Sequence, residues 1–386
     1  MSRNTTPVRP RRRLLAAAAI AALAGVTLSV PGAASAAVAD SPADAVQRTL
    51  DKLVNDHGYP GALASVRGRD GKVRDYTAGV GDLETKAEVP VNGRVRIASN
   101  TKMFTAVVAL QLAGEGRLDL DAPIEKYLPK VVRGAVDGRK ITTRQLLRHT
   151  AGLGDYDDVL FKTFGDEELR THREPYELVR IALDNTKKPV KGWSYTNTGY
   201  ILAGLIIQKV TGRPIGEEIT KRIITPLGLR DTYWPRVGEL GIRGPHPKGY
   251  VALKPGDPFR DVTRIDPGAA WSAGAIVSTP GDLNRFMVAL IGGELLKPAQ
   301  LKQMRTTVAA PQFDTTGKAR YGLGIATFKL SCGKTSWTHG GTAPGYASYN
   351  AVTDDGKAAT IVVTALPTSL ESVKRLESAL DTALCK

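Results

Sequence analysis

The chain has 386 residues, 42% hydrophobic and 24% charged, with a formal net charge of +15. That composition excludes a disordered or fibrous chain and is large enough for more than one core. A basic surplus suits an anionic cell envelope, and with no basic helix interleaved with aromatics and no nucleic-acid motif, neither DNA nor RNA is expected as a partner.

The first 36 residues differ in kind from the rest. Arg3, Arg9, Arg11, Arg12 and Arg13 precede an apolar run from Leu14 to Val30, which ends in Pro31-Gly32-Ala33-Ala34-Ser35-Ala36. A basic region, a short apolar region and an Ala-Ser-Ala site read as a secretory signal peptide over 1–36, cut after Ala36. A retained anchor is the weaker reading, because the apolar run is near the lower length limit for a span. The Arg11-Arg12-Arg13-Leu14-Leu15 run also suits a twin-arginine exporter, so the route stays open. Losing five arginines and no acid takes the charge from +15 to +10. No second run of about 20 apolar residues follows, so a secreted product of the extracellular or cell-envelope space, without a stable membrane span, is expected.

Ser41-Pro42-Ala43-Asp44 is a helix start, and Val46, Leu50, Leu53 and Val54 repeat at helical spacing behind it. Gly61 to Arg69 and Lys72 to Gly79 are strand-like runs joined by Asp70-Gly71, a hairpin signal. Met103 to Leu112 is an almost wholly apolar helix, hence buried on all sides. From Leu118 to about Thr232 the signals are mainly helical, with stops at Gly154, Gly192, Gly212 and Gly228. Thr279-Pro280-Gly281-Asp282 caps a further helix. Tyr321 to Phe328, Ser336 to His339, Tyr346 to Val352 and Ala358 to Ala365 read as strands, and Ser369 to Leu384 as a closing amphipathic helix.

Strands at both ends with helices between them give an α+β expectation: one antiparallel sheet flanked by terminal helices, with an all-α lobe inserted. A single two-lobed domain would span 37–386, with a sheet lobe of 37–98 and 270–386 and a helical lobe of 99–269. Cys332 and Cys385, the only cysteines, are expected to pair in an exported chain, stabilising it by roughly 3 to 4 kcal/mol. The histidines at 57, 149, 172, 246 and 339 show no ligand spacing, so neither a metal nor another cofactor is expected.

Three segments carry chemistry. Ser99-Asn100-Thr101-Lys102 opens the buried helix, where residues three apart share a face, so Lys102 reaches Ser99 Oγ. The helix start also aims N–H groups at an oxyanion forming there. Ser-x-x-Lys alone is weak, and it recurs at Ser331-Cys332-Gly333-Lys334, where the context favours a structural role. Tyr195-Thr196-Asn197 precedes a helix; a lysine ammonium beside the tyrosine would push it toward phenolate and make it a general base. Asn197 can accept from Lys102 and donate to a substrate carbonyl. Alternatively, Tyr195 packs in a loop and Asn197 caps the helix. His339-Gly340-Gly341-Thr342 puts glycines at a strand end, where a substrate backbone can approach and a main-chain N–H can complete an oxyanion hole. A plain glycine turn is the simpler alternative there.

Tyr195 lies 96 residues after Ser99, and His339 144 after Tyr195. This order resembles the serine β-lactamase and penicillin-binding-protein superfamily, specifically the streptomycete-type D-alanyl-D-alanine carboxypeptidases, class C β-lactamases, and related esterases and D-amino-acid amidases. The resemblance runs from the first helix to Cys385 and includes Leu146-Leu147-Arg148-His149-Thr150-Ala151-Gly152-Leu153 and Tyr321-Gly322-Leu323-Gly324. It implies a β-lactamase/transpeptidase-like fold, Ser99 as acylated nucleophile, Lys102 and Tyr195 managing its proton, and Asn197 orienting substrate. His339 and Gly341 would stand in the third motif, with the main-chain N–H groups of Ser99 and Thr342 as oxyanion hole. The implied partners are a peptidoglycan-type peptide, a β-lactam or a small ester or amide. D-alanyl-D-alanine carboxypeptidase leads; esterase, β-lactamase or D-amino-acid amidase activity is the alternative, and a non-catalytic peptidoglycan-binding protein is a second. Two positions depart from the carboxypeptidase pattern: Ala326 and Gly340 stand where an arginine and a threonine hold the substrate's terminal carboxylate, with Lys329 the nearest cation.

Overall fold

The computed structural model describes residues 42–161 and 164–386; the expected signal peptide lies outside the described residues. The architecture is α+β. Helix α1 (Pro42–Asn55) is followed by β1 (Gly61–Arg67) and β2 (Val73–Gly79), which pair from Gly61↔Gly79 to Arg67↔Val73. The turn between them places Gly71 at φ +79°, a conformation that glycine adopts without a Cβ penalty. The chain then leaves the sheet and returns only after a long helical excursion.

The sheet strands of the second half are β3 (Val308–Ala309), β4 (Arg320–Tyr321), β5 (Ala326–Lys329), β6 (Thr335–Thr338), β7 (Gly341–Ala343), β8 (Tyr346–Thr353) and β9 (Ala358–Val363). Among the described residues the nine strands run in the order β2-β1-β9-β8-β6-β5-β4-β3, with β7 paired on β8. β1 lies antiparallel to β9, from Ala62↔Val363 to Arg67↔Ala358, so strands from the two ends of the chain pair as the second and third strands from one edge of the sheet. The period of two separates the faces. Ala62, Ala64 and Val66 join Ile361 and Val363 in a core under α1 and the C-terminal helix, whereas Leu63 and Val362 point into the larger core shared with the helical region.

Tyr321 to Phe328 is not one strand. Gly322 and Gly324 (φ +80°) fold the chain out between β4 and β5, and Gly324 N–H donates to the Leu147 carbonyl at 3.2 Å. A Cβ on Gly322 would lie 2.0 Å from the Met304 carbonyl oxygen, so close backbone approach breaks the run that its hydrophobicity suggested.

The helical excursion centres on α2 (Thr101–Gly114), in which every residue from Thr101 to Leu110 is buried. Around it stand α3 (Thr143–Arg148), α4 (Pro175–Asn185) and α5 (Asn197–Thr211). Helix α6 (Pro280–Ile291), capped by Thr279 accepting from Asp282 N–H at 3.2 Å, covers the inner face of the sheet and stacks Phe286 on Phe104 of α2 at 3.8 Å. Helix α7 (Leu370–Cys385) closes the outer face against α1, and its N-cap Ser369 accepts from Ser372 N–H at 3.1 Å. Cys385 at its end is joined to Cys332 in the β5–β6 turn. In that turn the second Ser-x-x-Lys sits off any helix: Ser331 binds Asp381 and Lys334 binds Asp355.

Candidate active site

Ser99 is presented by a tight turn. After the short strand Val95–Arg96, Ala98 takes φ +46°, and residues Ala98–Asn100 make a single 3-10 turn that runs directly into α2. A Cβ-bearing residue at positive φ costs of order 1 to 3 kcal/mol, so the surroundings must hold it. Asn100 Nδ2 donates to the Ile97 carbonyl at 2.7 Å and to Ser348 Oγ at 2.8 Å, and Asn350 Nδ2 donates to Asn100 Oδ1 and the His339 carbonyl. This buried net ties the Ser99 turn to the end of β6 and to β8. Gly341 completes the clamp: a Cβ there would lie 2.1 Å from the Ile97 carbonyl oxygen and 2.6 Å from Asn100 Nδ2. Strand β7 therefore runs at backbone distance from the turn, which brings Thr342 to the same cavity rim as Ser99.

Lys102, one helical turn on, donates from Nζ to Ser99 Oγ at 2.9 Å, Asn197 Oδ1 at 2.6 Å and the Ala273 carbonyl at 2.9 Å. All three ammonium donors are used, and the side chain is fully buried. Burial pulls its pKa down to about 7 against the opposing charges of Asp155 and Asp157.

The Tyr195 hydroxyl is hydrogen-bonded to Ser99, and Lys102 Nζ lies 5.0 Å from the centre of its ring. The expected shift toward phenolate does not occur: burial drives the phenol well above its ordinary value of 10.0. The lysine faces the ring, not the oxygen alone, and burial has weakened the lysine's own charge. The group poised as a base near neutrality is Lys102, with Tyr195 protonated beside it.

Asn197 opens α5, but the cap is Thr196, whose side chain accepts from Thr198 N–H at 3.2 Å. The amide of Asn197 bridges Lys102 to a carboxylate, donating to Asp157 Oδ2 at 2.6 Å, while its main-chain N–H donates to Asp155 Oδ2 at 2.8 Å. Asp155 and Asp157 are the site residues that sequence reasoning missed. In the sequence they belong to Asp155-Tyr156-Asp157-Asp158, a run that normally marks a solvated loop. Burial and the Asp155 charge push Asp157 up to about 7. His339 is also enclosed; its Nδ1 donates to the Gly340 carbonyl at 2.6 Å and its Nε2 accepts from Tyr321 Oη at 2.9 Å. Burial holds its pKa down to about 3, so it braces the strand end as a neutral imidazole.

Two cavities meet at Ser99, and Asp157, Asn197 and Thr342 line both. One, of about 320 Å³, is walled by Tyr156, Phe161, Phe164, Leu169 and Ile265. The other, of about 580 Å³, opens between Trp193, Tyr195 and Phe313 on one side and Val373, Glu377 and Leu380 of α7 on the other. Ala326 is fully buried, and Gly340 lines the second cavity, where a Cβ would meet only the Ser348 carbonyl oxygen at 3.6 Å. Lys329 is exposed, donates to Thr335 Oγ1 at 2.8 Å and lines neither cavity.

A pH dependence follows. Below about 7 Lys102 is protonated and could not take a proton from Ser99, so if the pair acts as nucleophile and base, kcat/KM is expected to rise as pH climbs through that value. The limb belongs to the Lys102–Asp157 pair together. Asp157→Asn removes a charge that raises the lysine pKa, so the acid limb is expected to move to lower pH; a limb that stays put or moves up would show that another group sets it.

A family model described as Beta-lactamase matches residues 46–383. Penicillin-binding protein 4* of Bacillus subtilis (strain 168) is 25% identical over 314 residues, which cover 78% of this chain and 67% of that protein. Among solved structures, a D-stereospecific amidohydrolase from Streptomyces sp. superimposes with a TM-score of 0.79 at 39% identity, covering 88% of this chain and 98% of the other. A D-amino acid amidase from Ochrobactrum anthropi SV3, complexed with L-phenylalanine amide, gives a TM-score of 0.77 at 27% identity over 89% of this chain and 98% of its own.

Proposed function

The chain belongs to the beta-lactamase family and is a serine hydrolase of the penicillin-binding fold, and from that premise we propose that it hydrolyses amides or esters of D-amino acids whose leaving group carries no carboxylate. The observation that carries this reading is the charge of the two cavities. Among the described residues, the acidic side chains that line them include Asp157, half-buried, and Asp158 in the first, and Asp157, Asp314 and Glu377 in the second. The one arginine that borders them among the described residues, Arg96, is 3% exposed and donates to the carbonyls of Leu240, Thr263 and Ile265. Among the described residues of the lining, a terminal carboxylate would meet no available cation, whereas an α-ammonium group would meet Asp157 and an apolar side chain would fill the aromatic-walled cavity. The D configuration rests on the likeness to the Streptomyces amidohydrolase.

In the proposed reaction Ser99 gives its proton to Lys102 and attacks the carbonyl carbon. The main-chain N–H groups of Ser99 and Thr342 hold the resulting oxyanion. Collapse breaks the bond to the leaving amine or alcohol, which takes a proton through Tyr195, and water then hydrolyses the acyl-enzyme to release the acid. The proposal includes export, on the leader read in residues 1–36.

Matched substrates test the specificity. Loss of a charge-assisted partner is worth about 1.5 to 3 kcal/mol, roughly one to two powers of ten. D-phenylalanine amide or its methyl ester is therefore expected to turn over at least as fast as a D-alanyl-D-alanine peptide. A preference above ~10³-fold for the peptide with the free carboxylate would instead support the carboxypeptidase expectation.

A further inference from the structure

His149 is a fully enclosed imidazole beside the site that the reaction above leaves without a part. It is 1% exposed and stands in the left-handed conformation (φ 63°, ψ 38°) as the C-cap of α3. From there it meets the segment carrying Tyr195 at three points. Its carbonyl accepts the Ser194 N–H at 3.0 Å, its Nδ1 accepts the Thr196 N–H at 3.2 Å, and its ring lies 4.4 Å from the Tyr195 ring. The two hydrogen-bonded residues are those immediately before and after Tyr195. One residue thus holds the main chain on both sides of the phenol and lies against the phenol itself.

We propose that His149 is the positioning residue of Tyr195, holding its hydroxyl on Ser99 through the main chain of Ser194 and Thr196. The inference rests on the proton role proposed for Tyr195 and adds what fixes the geometry of that role. An acceptor at Nδ1 requires the ring proton to sit on Nε2, and that nitrogen is buried without a hydrogen-bond partner. It is enclosed by the rings of Trp193, Tyr200 and Tyr321, whose centres lie 5.8, 5.3 and 4.8 Å away, a setting in which a weak N–H···π contact is the available compensation. A histidine kept only for packing has no reason to leave one nitrogen unsatisfied. Here the ring is turned so that the other nitrogen meets Thr196. Burial, then the nearby Lys102 and His339, keep the imidazole neutral by driving its pKa well below 6.5, as the acceptor role requires.

The left-handed backbone dictates the variants. Asparagine and glycine both tolerate positive φ, and asparagine Oδ1 stands where Nδ1 stood. His149→Asn is expected to keep kcat within about threefold, per active site titrated with a fluorophosphonate, while His149→Gly loses about 10²-fold in kcat with KM little changed. A merely structural role would reduce the titratable fraction and leave kcat per titrated site alone. Equal kcat per site in all three proteins overturns the proposal, as does an asparagine variant as slow as the glycine one. Should His149→Gly fail to fold, ¹⁵N NMR of the wild-type imidazole decides: Nδ1 unprotonated and Nε2 protonated from about pH 5 to 9 is expected, and an Nδ1–H tautomer or a titration within that range overturns it. Tyr195→Phe separates the two readings. If it is unimpaired, the proton role of Tyr195 fails; if it is slow while His149→Gly is normal, only the present inference fails.

Discussion

Ser99→Ala is expected to lower kcat by about 10⁴-fold or more while leaving the fold and substrate affinity nearly unchanged. The side chain is small, stands at a cavity rim and accepts a hydrogen bond from Lys102 Nζ at 2.9 Å, so its removal opens no large void. What it removes is the only route to an acyl-enzyme. The same assignment predicts that a fluorophosphonate or penicillin modifies one residue. Peptide mapping that finds the adduct on another serine, or an alanine variant that retains more than about a hundredth of the activity, would sink the nucleophile assignment.

Tyr195→Phe is the second large effect. Phenylalanine preserves the ring contacts with His149 at 4.4 Å and with His339 at 6.1 Å, and takes away only the hydroxyl bonded to Ser99. Positioned acid–base groups contribute about 10² to 10⁴ in rate, so acylation should slow by at least ~10²-fold. Because the phenol is protonated at rest, the deficit should be larger for amides, whose leaving nitrogen needs a proton, than for activated esters, whose leaving group does not. Equal deficits for both would assign Tyr195 to binding. No deficit would leave Lys102 as the whole proton machinery.

How much of this was legible in the sequence depends on the range of the interaction involved. The Ser99–Lys102 pair follows from helical periodicity, which is local, and the hydrogen bond between them stands where that period puts it. The capped start of α6, the hairpin at Asp70-Gly71 and the pairing of Cys332 with Cys385 are likewise properties of short segments or of composition. The role of Asp157 was not legible. Its carboxylate matters because α5 and α2 converge on it through Asn197 and Lys102, residues 40 and 55 positions away, and no local pattern records that convergence. The same holds for Asn100, which reads as an incidental polar residue inside the motif until β8 is laid against it. The phenolate expectation failed for a related reason. The sequence shows that a lysine and a tyrosine lie close, but the outcome depends on how deeply both are buried, which belongs to the folded whole.

The bond between Cys332 and Cys385 fastens α7 to the turn after β5, and α7 contributes Val373, Glu377 and Leu380 to the wall of the larger cavity. The Ser99 turn, by contrast, is held by α2, β7 and the Asn100 net, none of which depends on that link. The redox history of a preparation would therefore register as selectivity by size. Protein produced in a reducing compartment should still react with a small phosphonate at Ser99, while its discrimination among bulky leaving groups becomes blurred. Two laboratories could then agree on active-site concentration and disagree on substrate preference, and thiol content would be the variable to compare first.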